Sequence, residues 1–125
     1  MSFSSPWSEA AFYQELHKYY ALSKVAVLRD TIIGYLCVNL IFEEAHILNL
    51  AVHPDFRRQG VATRLMEEIL KASKGKNCSG FFLEVRGSNT EAIKFYERLG
   101  FKIAGVRKDY YVSPVEDASL MVLRV

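Results

Sequence analysis

Cysteine is scarce: Cys37 and Cys78 are the only two in 125 residues. They share no CxxC or Cys/His spacing, which excludes a disulfide framework and a zinc-site pattern and leaves two reduced thiols. His17, His46 and His53 complete the histidines and form no metal pattern either. Charge of one sign is missing too. Sixteen Lys and Arg oppose fourteen Asp and Glu, a formal net charge of +2. That balance is unlike the basic face or tail of a general nucleic-acid binder. No apolar run reaches the ~18 residues of a membrane span. The opening MSFSSPWSEA lacks the basic start and apolar block of a secretory signal. Repeats and low-complexity linkers are absent. A soluble, intracellular protein of the cytoplasm is expected, with no membrane partner and no direct nucleic-acid contact.

What is present is a core. Half of the residues are hydrophobic, enough for one domain spanning 1–125. SPWSEAAFYQELHKYY predicts a helix capped by Ser8, with Ala11, Phe12, Leu16 and Tyr19 or Tyr20 at helical spacing. SKVAVLRD and TIIGYLCVNLIF predict a hairpin with a tight turn near Asp30, and EAHILNLAVHP a third strand ended by Pro54. VATRLMEEILKASK places Val61, Leu65, Ile69 and Leu70 on one helical face. GFFLEVR reads as a strand buried on both faces. NTEAIKFYERLG reads as a short helix capped by Asn89 and stopped at Gly100. FKIAGVRKDYYV and ASLMVLRV predict the last two strands. This order predicts an α/β fold, a mixed sheet flanked by helices, antiparallel in its first part and with a crossover in the middle.

Glycine is sparse where a phosphate loop would want it. RRQGVATR, between a strand and a helix, has one glycine. It is therefore neither a Walker loop nor a dinucleotide fingerprint. A helix N-terminus still offers unpaired N–H groups and partial positive charge. Gly60 lets the backbone approach a ligand, Ala62 does nearly the same, and Arg57 and Arg58 add charge. By itself the stretch is either an anion site or the polar start of an ordinary helix.

Three further residues carry chemistry. Alternation puts Phe82, Glu84 and Arg86 on one face of their strand and Phe81, Leu83 and Val85 on the other. Glu84 is either salt-bridged to a basic side chain on a neighbouring strand or a base raised by apolar surroundings. Asn89 either caps its helix or contacts a ligand. Tyr96 is either a core tyrosine or a proton donor, since a phenol with a reference pKa near ~10 outlasts a thiol near ~8.5.

Taken in order, these pieces resemble the GCN5-related N-acetyltransferase (GNAT) superfamily. Arg57, Gly60 and Ala62 fill the fixed positions of its Arg/Gln-x-x-Gly-x-Gly/Ala motif, with Ala62 where glycine is commoner. PWSEAAF, LNLAVHPDFRRQG, FLEVRGSNTEAIKFYERLGF, RKDYYV and EDASLMVL are similar to the bacterial ribosomal-protein-alanine N-acetyltransferases, the RimI type. The resemblance implies the acyl-CoA N-acyltransferase fold and acetyl-CoA as co-substrate, with no metal. It implies Glu84 as general base and Tyr96 as general acid. It implies Leu50, Ala51 and Val52 as the strand pairing with the pantetheine arm. Arg57, Arg58, Gln59, Gly60, Val61, Ala62 and Thr63 become the pyrophosphate loop, and Asn89 a further cofactor contact. Members of the family carry additional residues before PWS, so the first edge strand is expected to be missing here or the start of the chain trimmed.

The implied acceptor is the N-terminal alanine of a small-subunit ribosomal protein. Tyr110–Tyr111 and Glu43–Glu44 are candidates to meet a basic peptide, and a monomer or weak dimer is expected. An α-amine with a pKa of ~7.7–8.0 costs about 1 kcal/mol to neutralise at pH 7, against about 4.6 kcal/mol for a lysine side chain. The smaller task suits a carboxylate base. The competing expectations are a small-molecule amine N-acetyltransferase and a non-catalytic acyl-CoA-binding module.

Overall fold

The computed structural model describes residues 22–73 and 78–124. The predicted first helix, with its Ser8 cap, lies outside them, as does the PWSEAAF segment. The chain divides into two compact units, residues 1–78 and 79–125.

The first unit is an antiparallel three-stranded sheet of β1 (Leu22–Leu28), β2 (Thr31–Ile41) and β3 (Glu44–Val52), with β2 in the middle. The turn expected near Asp30 is there. Arg29 and Asp30 both take positive φ, 50° and 64°, the twist that a two-residue hairpin loop requires. Leu28 then pairs with Thr31. β2 is buried continuously from Ile33 to Val38, as befits a central strand covered by a helix. After a 3₁₀ turn at Pro54–Phe56 comes α1 (Val61–Ala72), which buries Leu65, Met66 and Ile69. Of the expected face, Leu65 and Ile69 are buried and Val61 and Leu70 half-buried, and Met66 is buried beside them. The helix lies close over Gly34, where a Cβ would meet Val61 Cγ1 at 3.0 Å and the Ala51 carbonyl at 3.2 Å.

The second unit holds β4 (Gly80–Arg86), α2 (Thr90–Arg98), β5 (Lys102–Val112) and β6 (Val115–Arg124). β6 runs antiparallel between β4 and β5. Two expectations are corrected here. β4 is not buried on both faces: Phe81, Leu83 and Val85 are buried while Phe82, Glu84 and Arg86 are half-buried. The last strand begins at Val115 rather than Ala118, because Glu116 pairs with Tyr111 and Val112 with Val115 to close a β5–β6 hairpin.

α2 begins and ends as the sequence implies. The Asn89 side chain accepts from the Ala92 N–H at 3.2 Å. At the other end Gly100 has φ 103°, its N–H bonds the Glu97 carbonyl, and the Phe101 N–H bonds the Tyr96 carbonyl, both at 3.0 Å. This is a Schellman stop, with the buried Phe101 ring packed edge to face on Tyr96 at 5.5 Å.

Candidate active site

In the first unit the candidate anion site grows out of β3. One extra residue, Leu48, interrupts the β2–β3 register between the Cys37–Asn49 and Val38–Ile47 pairs. Beyond it Leu50, Ala51 and Val52 pair with Leu36, Tyr35 and Gly34. The chain then turns, and three side-chain contacts brace the turn. His53 Nδ1 accepts from the Asp55 N–H at 3.1 Å, Arg57 Nε donates to the Val52 carbonyl at 3.3 Å, and Gln59 Nε2 donates to the Asp55 carbonyl at 3.3 Å. Arg57 therefore ties the loop to the strand end in addition to bringing charge.

Gly60 is the N-cap of α1, in the left-handed region at φ 81°, and no side chain caps the helix. A Cβ built there would find no atom within 4 Å. The first turn contains no acidic residue, and the first intrahelical bond runs from the Arg64 N–H to the Gly60 carbonyl. The N–H groups of Val61, Ala62 and Thr63 precede it and lack intrahelical acceptors. Open space, aligned donors and positive charge are what an anion such as a pyrophosphate needs, so these residues fit that group.

In the second unit the chemistry gathers on the Phe82–Glu84–Arg86 face. Opposite Glu84 and Arg86 on β6 stand Leu120 and Ala118, and beyond Ala118 on β5 stands Arg107. Between Arg107 and Tyr111, β5 spends three residues against the single Asp117 of β6. Asp109, at φ 51°, anchors this bulge by donating its N–H to Asp117 Oδ1 at 2.9 Å. Regular alternation would point Tyr110 away from Glu84; the bulge re-aims it. The Tyr110 phenol hydrogen-bonds Glu84, and that bond raises its pKa above the ordinary 10.0. Arg107 Nε lies 3.4 Å from Glu84 Oε1, and the carboxylate side chain is 25% exposed. Of the two readings of Glu84, the structure shows the salt-bridged one: its partner is a guanidinium of β5, at a partly open surface rather than in apolar surroundings.

Arg86, next on the same face, is held from several sides. It pairs with Glu116 at 3.3 Å, donates to the Pro114 carbonyl at 3.1 Å and the Ser113 carbonyl at 3.3 Å, and lies 4.2 Å from the Tyr111 ring centre. Glu116 in turn accepts the Ser88 N–H at 2.7 Å. Ser88's hydrogen bonds, with help from Arg86, hold the Glu116 carboxyl below its ordinary range. Tyr111 is raised by burial first and then by the Glu84 charge.

Tyr96 is 9% exposed. Burial pushes its phenol from the ordinary 10.0 to about 12, so it stays protonated well above neutral pH. The structure therefore places Glu84, Asn89, Tyr96, Tyr110 and Tyr111 in one unit and the loop residues in the other. Glu44, of the acidic pair, hydrogen-bonds His46 at 3.0 Å on β3. Arg107 is the residue that sequence reasoning passed over: nothing in RKDYY says that it will pair with Ala118 and so stand on the Glu84 face.

Residues 1–101 match the model of the acetyltransferase (GNAT) family. The [ribosomal protein bS18]-alanine N-acetyltransferase of Salmonella typhimurium is 34% identical over 122 residues, 96% of this chain and 82% of the relative. The solved ribosomal-protein-S18-alanine N-acetyltransferase of Escherichia coli superposes with a TM-score of 0.81 at 33% identity, covering 98% of this chain and 80% of that one. Arabidopsis thaliana Naa50, solved with the bisubstrate analogue CoA-Ac-MVNAL, gives a TM-score of 0.75 at 25% identity, covering 82% and 72%.

Proposed function

We infer, from the premise that the chain belongs to the acetyltransferase (GNAT) family and is an acetyl-CoA-dependent N-acetyltransferase, that its acceptor is the α-amine of a protein N-terminus. An alanine of a ribosomal protein is the acceptor favoured, as in the name of the Salmonella relative, and such an acceptor supports the cytoplasm as the place of work. The observation that carries this reading is Glu84, a partly open carboxylate hydrogen-bonded by Tyr110 on a tyrosine-lined face. Such a face suits a peptide, and such a base suits an amine that needs only about 1 kcal/mol to become neutral at pH 7.

Each residue then has a task. The N–H groups of Val61, Ala62 and Thr63, opened by Gly60, hold the pyrophosphate of CoA, with Arg58 adding charge and Arg57 and Gln59 keeping the loop in shape. Leu50, Ala51 and Val52 offer backbone groups to the pantetheine arm. Asn89, whose oxygen is engaged by the α2 cap, contributes through its remaining amide group. Bound acetyl-CoA supplies the acetyl group as a thioester. Glu84 takes the proton of the acceptor ammonium, directly or through water. Tyr96, protonated at every physiological pH, gives its proton to the departing sulfur.

The test is a panel of peptides with different N-terminal residues, lysine peptides and small amines, each incubated with acetyl-CoA while thiol release is followed. Turnover on an alanine-starting peptide in preference to the amines is expected. Turnover confined to polyamines or aminoglycosides would make the protein a small-molecule acetyltransferase instead.

A further inference from the structure

Arg86 and Arg107 both lie on the Glu84 face, and their contacts differ in kind. Arg86 is fixed by an ion pair, two backbone carbonyls and an aromatic ring. Arg107 reaches Glu84 through one contact, Nε to Oε1 at 3.4 Å, with 59% of its side chain exposed. Its guanidinium lies 5.6 Å from the Tyr110 ring centre. A single exposed ion pair of this sort is weak, and a long side chain on a bulged strand leaves without disturbing the sheet. Arg86 is therefore part of the scaffold, whereas Arg107 is a displaceable cover.

The geometry points to Arg107 as a determinant of acceptor affinity: its guanidinium stands on Glu84 where the acceptor's ammonium must stand, and it swings aside when the acceptor arrives. The assignment rests on the reading of Glu84 as the base. The proton balance is simple. An ammonium N–H bond breaks, the proton passes to the Glu84 carboxylate directly or by way of water, and the amine keeps the electron pair. Arg107 matches the charge of the acceptor but carries no free amine lone pair, so it occupies the place without reacting there. Tyr110, hydrogen-bonded to Glu84, stays with the carboxylate during the exchange.

Removing a competitor strengthens what it competed with. In Arg107→Gln, the Kd of a synthetic alanine-starting peptide, measured by calorimetry, is expected to fall about two- to five-fold, the factor a broken exposed ion pair is worth. The peptide KM falls with it, so that kcat/KM rises by a similar factor. Arg107→Lys, which keeps a cation on a long stem, moves Kd back towards the wild-type value. In a Glu84→Gln background the Arg107 substitution has no further effect on Kd, because nothing is left to cover. Peptide binding by Arg107→Gln no tighter than wild type overturns the assignment. So does a ten-fold fall in kcat, which would make Arg107 a brace for Glu84. A wild-type protein that neither binds nor acetylates the peptide, or a Glu84→Gln protein with wild-type kcat, brings down the underlying reading, and both are seen before Arg107 is touched.

Discussion

Tyr96 and Phe101 are joined twice: the Phe101 N–H bonds the Tyr96 carbonyl at 3.0 Å, and their rings meet edge to face at 5.5 Å. The helix stop that ends α2 therefore also fixes the proposed acid. Tyr96→Phe keeps the ring contact and removes the proton; turnover is expected to fall ten-fold or more with the melting temperature close to wild type. Phe101→Ala removes the ring contact instead and should cost roughly 3–5 kcal/mol of stability. Thermal melts beside steady-state rates separate the two.

The Tyr96 phenol also makes stability depend on alkaline pH. Its folded pKa of about 12 lies above the ordinary 10.0, so the neutral form is favoured in the fold. The contribution is fully present below about pH 10 and is lost as pH rises from there through about 12. Denaturant melts between pH 9 and 12, if read through the ~1.36 kcal/mol per pKa unit of linkage, should show a steeper alkaline loss in wild type than in Tyr96→Phe. Equal slopes would show that the burial has no energetic consequence.

Gly60 and Gly34 separate binding from packing. An alanine at Gly60 has free space but must hold φ 81°, a strain of about 1–2 kcal/mol, and its methyl group enters the space proposed for the pyrophosphate. Gly60→Ala is expected to raise the acetyl-CoA KM with a modest loss of stability. Gly34→Ala presses on Val61 Cγ1 at 3.0 Å and on the Ala51 carbonyl at 3.2 Å, overpacking that typically costs about 1–3 kcal/mol. Its melting temperature should fall without a selective rise in that KM.

Arg86 and Glu116 tie the β5–β6 turn to the loop before α2. Glu116 is held below its ordinary 4.5 by Ser88 first and Arg86 after it. Stability from this group is present above pH 4.5 and lost as pH falls through the lowered folded value. Wild type and Glu116→Gln should therefore differ at neutral pH and converge in acid. Arg86→Lys, which cannot make the same fork of contacts, should raise the peptide KM because Tyr111 loses its planar partner.

The described helices, the first hairpin and the third strand were legible because their signals are local. An Asn cap, a glycine after the last turn and a two-residue hairpin turn act within a few positions. Asn89, Gly100 and Asp30 sit where that logic puts them. Glu84 was legible as an anomaly in an apolar strand, but its partners were not. Arg107 reaches it across Ala118 of β6 and Tyr110 from a bulge set by Asp109 and Asp117, long-range pairings that no period in the sequence records. The start of the last strand was missed for the same reason: Val115 and Glu116 are strand residues because Val112 and Tyr111 face them. The roles of Glu84, Tyr96 and the loop came from resemblance to a family, and the structure adds the surroundings that make those roles chemically reasonable.

The most direct test uses one peptide with an alanine N-terminus and an internal lysine, incubated with acetyl-CoA and the wild-type protein and mapped by fragment mass spectrometry. A single acetyl group on the alanine α-amine, lost in Glu84→Gln, is the predicted result. Acetylation of the lysine side chain, or an acetylated α-amine undiminished in Glu84→Gln, would contradict the account.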